Sequence, residues 1–175
     1  MHSANSPFSD TYGPWALVAG ASAGVGAAFA EALAQRGLDL VLVARRMPEL
    51  RALAERLSAS YGVAVRPMGL DLAEPETASR LAAECASLDI GLLVYNAALS
   101  LIGPFLDQPL DRHLRELDTN CRAPLGLVYA FGQRMQARGH GGIVLMSSLA
   151  GGQGGPFIAN YAATKAFTTV LAEGL

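Results

Sequence analysis

Apolar residues in this chain gather into short, wholly apolar runs that alternate with longer segments of helical period. Trp15-Ala-Leu-Val-Ala19 is the first run. Beyond a glycine-rich break, Val25 to Arg36 puts Val25, Phe29, Ala32 and Leu33 on one helical face. Gly37 stops that helix, Asp39 to Ala44 supplies a second strand, and Pro48 to Tyr61 carries Leu50, Leu53, Ala54 and Leu57 at helical spacing. Val63 to Met68 reads as a third strand, and Pro67, which has no N–H to give a ladder, points to an edge or strand end. The pattern then predicts a helix over Thr77 to Leu88, a fourth strand over Ile90 to Tyr95 and a mostly helical stretch from Pro109 to Arg138 around Pro124. Gly142 to Met146 is a fifth strand, and Asn160 opens a last helix.

Strands that are apolar throughout, alternating with helices, imply a parallel sheet covered on both faces with right-handed crossovers. The expected architecture is α/β, a doubly wound, Rossmann-like parallel sheet in one domain over residues 14–175, behind a loose polar leader from Met1 to Gly13. Such a sheet has six strands in its fullest form, and this chain supplies five before it ends inside a helix at Leu175, so the usual C-terminal strands are expected to be lacking.

Composition narrows the function. With 51% hydrophobic and 16% charged residues the chain can bury a core, and a formal charge of −2 without a block of Lys or Arg argues against nucleic acid as a partner. Cys85 and Cys121 fall in no C-x-x-C pair and read as two buried free thiols. His2, His113 and His140 have no ligand spacing and read as surface residues, so no metal is expected. The apolar segment from Trp15 to Ala30 has no preceding Lys or Arg and is interrupted by glycines, which argues against a signal or membrane helix and for a cytoplasmic protein.

Three stretches carry chemistry. Gly20, Ala21, Ser22, Ala23, Gly24, Val25 and Gly26 join the first strand to the first long helix, where backbone N–H groups and the helix dipole can receive a pyrophosphate. Taken alone, the glycines fit a tight turn equally well. At the end of the second strand, where a carboxylate would grasp the ribose of NAD, stand Arg45 and Arg46. A guanidinium can hold a 2′-phosphate, which favours NADP, although two solvated arginines would look the same. In Asn160-Tyr161-Ala-Ala-Thr-Lys165 the phenol and the ammonium share a helix face at i, i+4, and a fixed cation can stabilise a phenolate for acid–base work. An amphipathic helix with a buried Tyr and a snorkelling Lys is the other reading.

Together these stretches resemble the short-chain dehydrogenase/reductase family, in its single-domain NAD(P)-dependent branch, over Ala16 to Leu175. The glycine turn matches, Ser148 precedes Tyr161 by 13 residues, Lys165 follows it by 4, and Asn120 precedes Ser148 by 28, the spacing of the family's Asn-Ser-Tyr-Lys tetrad. The resemblance implies that Tyr161 is the general acid in carbonyl reduction, that Ser148 bonds the carbonyl oxygen, that Lys165 also holds the nicotinamide ribose, and that Asn120 anchors a water leading to solvent. Ser147 lacks the spacing. By the same resemblance Asp71 with Leu72 contacts adenine, and Asn96, Ala97 and Ala98 stand for the family's Asn-Asn-Ala-Gly run. Tyr95 replaces its first Asn and Ala98 its Gly, which would alter the turn if position 98 needed a positive φ. Asp71 can also be read as a cap for the following helix.

The resemblance implies an NADP-dependent oxidoreductase moving a hydride between a nicotinamide and a carbonyl or alcohol carbon. Its rivals are a truncated, non-catalytic NADP-binding fragment or pseudoenzyme and an epimerase or dehydratase of the extended branch, the latter needing a larger substrate domain. It also implies a homo-oligomer formed through the Pro109 and Asn160 helices. Gly151 to Gly155 is expected to be a flexible loop beside the tetrad.

Overall fold

The computed structural model describes residues 7–175. Its elements, in chain order, are α1 (Pro7–Tyr12), β1 (Trp15–Ala19), α2 (Gly24–Gln35), β2 (Asp39–Ala44), α3 (Met47–Tyr61), β3 (Val65–Gly69), α4 (Thr77–Glu84), β4 (Ile90–Tyr95), α5 (Leu110–Leu117), α6 (Ala123–Arg138), β5 (Gly142–Leu145) and α7 (Ala159–Gly174). The five strands form one parallel sheet in the order β3-β2-β1-β4-β5, with Val18 paired to Leu42 on one side and to Val94 on the other. Pro67 lies on the edge strand, where its missing N–H costs no ladder bond.

Alternate residues of the central strands feed two cores. Leu17, Val41, Val43 and Leu93 pack with Leu81 of α4 and Leu127 and Phe131 of α6, whereas Ala16, Val18, Leu40, Leu42 and Val94 pack with Leu33 of α2 and Leu50 and Leu57 of α3. The central strands β1, β2 and β4 are therefore buried on both faces, which is why their sequences are apolar without alternation. The order reverses between β1 and β4, the place where such sheets open a crevice at their C-terminal ends.

The structure departs from the sequence pattern in five places. Within the expected leader, Pro7–Tyr12 is helical, because Phe8 and Tyr12, one turn apart, pack against the second core; residues 1–6, His2 among them, lie outside the described residues. The long helix around Pro124 is broken: α5 passes through a π-helical turn (Asp118–Arg122) into α6. Pro124 has no N–H for the carbonyl one turn earlier, and the wider turn absorbs that loss at the start of α6. His113 is buried rather than exposed, its ring stacked on Phe105 at 4.3 Å and its Nε2 donating to the Phe105 carbonyl at 2.9 Å. Cys85 is buried as expected, whereas Cys121 is only half-buried. The start of the expected glycine loop is a 3-10 helix, Leu149–Gly152, held because Gly151 lies against the α7 backbone so closely that a Cβ would sit 2.8 Å from the Lys165 carbonyl carbon.

Candidate active site

The glycine turn leaves β1 and enters α2. Gly20 has φ +86°, and a Cβ there would lie 2.6 Å from the Ala97 nitrogen. A Cβ at Gly26 would come within 2.1 Å of the Gly20 carbonyl oxygen and 2.7 Å of Asn96 Nδ2. These two glycines let strand, helix and the β4 end approach one another. Gly24, at φ +57° and the start of α2, faces open space, with nothing within 4 Å of a Cβ. It opens the helix N-terminus, where free N–H groups favour an anion.

Asn96 fixes the turn from the other side: its Nδ2 donates to the Gly20 carbonyl at 3.1 Å and its backbone N–H to Ala19 at 2.9 Å. Ala98 has no positive φ, so glycine is not needed there. At the end of β2, Arg46 pairs with Glu49 at 3.1 Å and donates to Ser22 Oγ of the glycine turn at 3.2 Å. Arg45 is exposed and makes no side-chain bond to any described residue. After β3, Asp71 accepts the Ala73 N–H at 3.0 Å and pairs with Arg115 of α5. It closes a local turn and does not cap α4, whose first residue is Thr77.

Gly20, Ser22, Arg45, Arg46, Asp71, Leu72, Asn96, Ala97 and Ala98 line one cleft of about 420 Å³ across the C-terminal ends of β1 to β4. That volume lies within the usual range of small-molecule sites. Ala23, Gly24, Val25 and Gly26, together with Tyr161 and Lys165, are outside its wall. The site residues expected from the sequence did not include Ala44, Leu70, Leu99, Arg115 and Thr119, which complete the lining. Arg115 is reached only through the packing of α5 against the β3 end, 44 residues from Asp71, a distance no local motif spans.

The tetrad candidates cluster around α7. Lys165 is buried, its Nζ donates to the Met146 carbonyl at 2.6 Å, and it lies 5.7 Å from the centre of the Tyr161 ring. Burial lowers its ammonium below the ordinary lysine range, opposed by the nearby Cys121 thiol, while burial pushes the Cys121 thiol up. Ser147 is committed to α7, bonding the Lys165 carbonyl at 2.9 Å and Thr169 Oγ1 at 2.6 Å. Ser148 Oγ accepts only the Ala150 N–H among the described residues, at 3.2 Å, and its own hydroxyl proton goes to none of them. Asn120 is buried in the π-helical turn; its Nδ2 donates to the Leu99 carbonyl at 2.8 Å and to Thr164 Oγ1 at 2.9 Å, and its Oδ1 accepts the Leu99 N–H at 2.9 Å. Its side chain thus ties a cleft-lining residue to α7.

The model of the family described as short chain dehydrogenase matches residues 14–175. The chain belongs to the short-chain dehydrogenase/reductase family. It is 33% identical over 168 residues to the 7beta-hydroxysteroid dehydrogenase of Clostridium sardiniense, covering 96% of this chain and 64% of that one. It is 36% identical over 160 residues to the very-long-chain 3-oxoacyl-CoA reductase of Podospora anserina, covering 89% and 47%. Among solved structures, a 7beta-hydroxysteroid dehydrogenase superposes with a TM-score of 0.93 at 31% identity, over 95% of this chain and 64% of the other. A short-chain dehydrogenase from Sphingobium yanoikuyae in complex with NADPH gives 0.88 at 38% identity, over 93% and 64%. The chain spans less than two thirds of the length of the curated 7beta-hydroxysteroid dehydrogenases it matches. Among the described residues no helix is long and apolar enough to cross a membrane.

Proposed function

We propose that the protein is an NADP-dependent oxidoreductase acting on a small carbonyl or alcohol substrate. The observation that carries this reading is the pairing with the Tyr161 ring of a buried Lys165 whose Nζ donates to the Met146 carbonyl, two residues before a Ser148 that keeps a free hydroxyl proton. The residues present fit a dinucleotide: Gly24 opens the α2 N-terminus for a phosphate, and an unpaired guanidinium at Arg45 stands where a 2′-phosphate would lie. Gly20, Ser22, Ala23, Val25 and Gly26 would present the turn, Arg46 would support Arg45, and Asp71, Leu72, Asn96, Ala97 and Ala98 would flank the adenosine part. Bound there, the nicotinamide would supply or accept the hydride.

Tyr161 would pass its phenolic proton to the oxygen of the reduced carbonyl, and Ser148 would donate to the same oxygen as charge develops. Lys165 would stabilise the phenolate left on Tyr161 through its positive charge and would also bond the nicotinamide ribose. Asn120 would hold the path by which Tyr161 regains its proton. The exposed Leu110 and Leu114 of α5, with Phe167 and Val170 of α7, would serve as a subunit contact. Similarity to NADPH-bound members of the family supports this choice of cofactor.

The test is titration of the purified chain with NADPH and NADH, followed by fluorescence and by the rise in melting temperature, and then a carbonyl screen against Tyr161→Phe. NADPH binding with turnover lost in Tyr161→Phe is the expected result. Binding without turnover would make the chain a nucleotide-binding protein only, and turnover unchanged in Tyr161→Phe would remove Tyr161 from its role.

A further inference from the structure

Glu116 of α5 is fully buried, and its carboxyl takes no part in the roles described above. Oε1 accepts the Leu101 N–H at 2.9 Å and Oε2 accepts Asn160 Nδ2 at 2.6 Å; both donors are neutral. Asn160 Nδ2 also donates to the His113 carbonyl at 3.1 Å. One helical turn further on, Asn120 repeats this arrangement, accepting the Leu99 N–H and donating to Thr164 Oγ1. The two bridges are in register on all three segments: Glu116 and Asn120 at i, i+4, Leu101 and Leu99 two residues apart in the irregular segment after β4, and Asn160 and Thr164 at i, i+4 on α7.

Tyr161 lies between the two rungs. The residue before it is held by Glu116, and its own carbonyl accepts Thr164 Oγ1 at 2.7 Å, the hydroxyl that Asn120 grips. We propose that Glu116 and Asn160 are positioning residues that fix the first turn of α7, and with it Tyr161, against the loop at Leu99 and Leu101. The inference rests on the proposed role of Tyr161. A carboxyl paired with no cation among the described residues and enclosed by two donors is a costly buried group whose geometry defines a unique arrangement when fully bonded. Glutamine in its place either turns its N–H2 toward Asn160 Nδ2 or the Leu101 N–H, leaving a donor unpaired, or makes the Asn160 amide turn over and set its Oδ1 against the His113 carbonyl.

The test places 3-fluorotyrosine in the whole chain and follows Tyr161 by fluorine NMR, its line assigned by disappearance in Tyr161→Phe. In Glu116→Gln and in Asn160→Ala the Tyr161 line should shift or split while those of Tyr12 and Tyr61 stay in place. The reciprocal pair Glu116→Gln with Asn160→Asp reverses the donor and acceptor and should bring the Tyr161 line back toward one position, partly because the His113 carbonyl contact is not rebuilt. In turnover, kcat of the single variants should fall roughly 10- to 100-fold, with a smaller change in KM for NADPH, because a misplacement of about 1 Å acts on the reacting atoms more than on the nucleotide contacts at the glycine turn and Arg45. Should Glu116→Gln fail to fold, Asn160→Ala decides. A Tyr161 line identical to wild type in folded single variants overturns the proposal, as does a displaced line with unchanged kcat. A wild-type chain without turnover would sink the oxidoreductase reading alone, because the fluorine spectra still report whether Glu116 and Asn160 hold Tyr161.

Discussion

The phenol of Tyr95, at the end of β4, donates to the backbone carbonyl of Thr119 in the π-helical turn. The turn creates the need for that bond. The Ala123 N–H goes to Asp118, and Pro124 has no N–H, so the Thr119 carbonyl has neither of its nearest helical donors. Tyr95 fills the gap from across the fold, next to Asn120. The tyrosine that replaces the family's Asn at this position is thus part of the support for Asn120, the Asn candidate of the tetrad.

Tyr95→Phe should therefore cost about 1–3 kcal/mol, the penalty for orphaning a buried carbonyl, and lower the melting temperature by roughly 2–10 °C. It should also change the response to alkali. Burial pushes the Tyr95 phenol well above its ordinary value of 10.0, so in the folded state it keeps a proton that the unfolded chain gives up. The contribution is fully present below pH 10.0 and declines as pH rises above it. Urea unfolding from pH 8 to 11 should show the wild type losing its margin over Tyr95→Phe in the upper half of that range, and a constant margin would contradict the assignment.

The parallel sheet buried on both faces, the edge position of Pro67 and the glycine turn were readable because each follows from local chemistry: apolar runs without alternation, a missing N–H, and a Cβ that would not fit. The tetrad candidates were readable by spacing. Glu116 and His113 were not, because an acidic or basic residue on α5 looks solvated until the 3-10 helix at Phe105–Asp107 and the N-terminus of α7 close over it, and Arg115 was not because only its pairing with Asp71 brings it to the cleft. Asn160 stood inside the motif, yet its neighbours in sequence gave no sign that it reaches 44 residues back to Glu116. Long-range polar bridges have no sequence period, and so they appear only in three dimensions.

Lys165→Met should remove turnover by at least about 100-fold if the ammonium supports the Tyr161 phenolate. Its stability should respond to pH in a defined sense. Burial lowers the Lys165 pKa from 10.5, so between its folded and unfolded values the unfolded chain binds more protons and wild-type stability rises with pH. Relative to wild type, Lys165→Met should look most stable in acid and lose that advantage as pH approaches 10.5. Chemical denaturation at pH 6, 8 and 10 measures the gap, and a gap that widened with pH would contradict the burial argument.

Arg45→Glu should reverse the cofactor preference. A charge-assisted bond to a 2′-phosphate contributes about 1.5–3 kcal/mol, so its removal should weaken NADPH binding by roughly 10- to 100-fold. The new carboxylate can accept from the ribose hydroxyls of NADH, as acidic residues do at this place in the fold. Because the Arg45 side chain makes no hydrogen bond or ion pair with a described residue, the melting temperature without cofactor should stay the same. Equal loss of NADPH and NADH binding would move phosphate recognition to Arg46, which Ser22 and Glu49 already engage.

The three glycines of the turn should separate into two kinds when each is changed to Ala. At Gly26 the new methyl would meet the Gly20 carbonyl oxygen at 2.1 Å, and at Gly20 it would meet the Ala97 nitrogen at 2.6 Å on a backbone of φ +86°. Neither contact is with a side chain that can swing away, so both changes should cost about 3 kcal/mol and lower the melting temperature without any ligand present. Gly24→Ala meets nothing within 4 Å and carries only the cost of a left-handed φ of +57°, about 1–2 kcal/mol. Its methyl would instead occupy the space in front of the α2 N-terminus. Gly24→Ala should thus fold with a small loss of stability and lose most of its NADPH affinity. Normal affinity in a folded Gly24→Ala chain would place the pyrophosphate elsewhere and leave all three glycines as residues of packing and turn geometry.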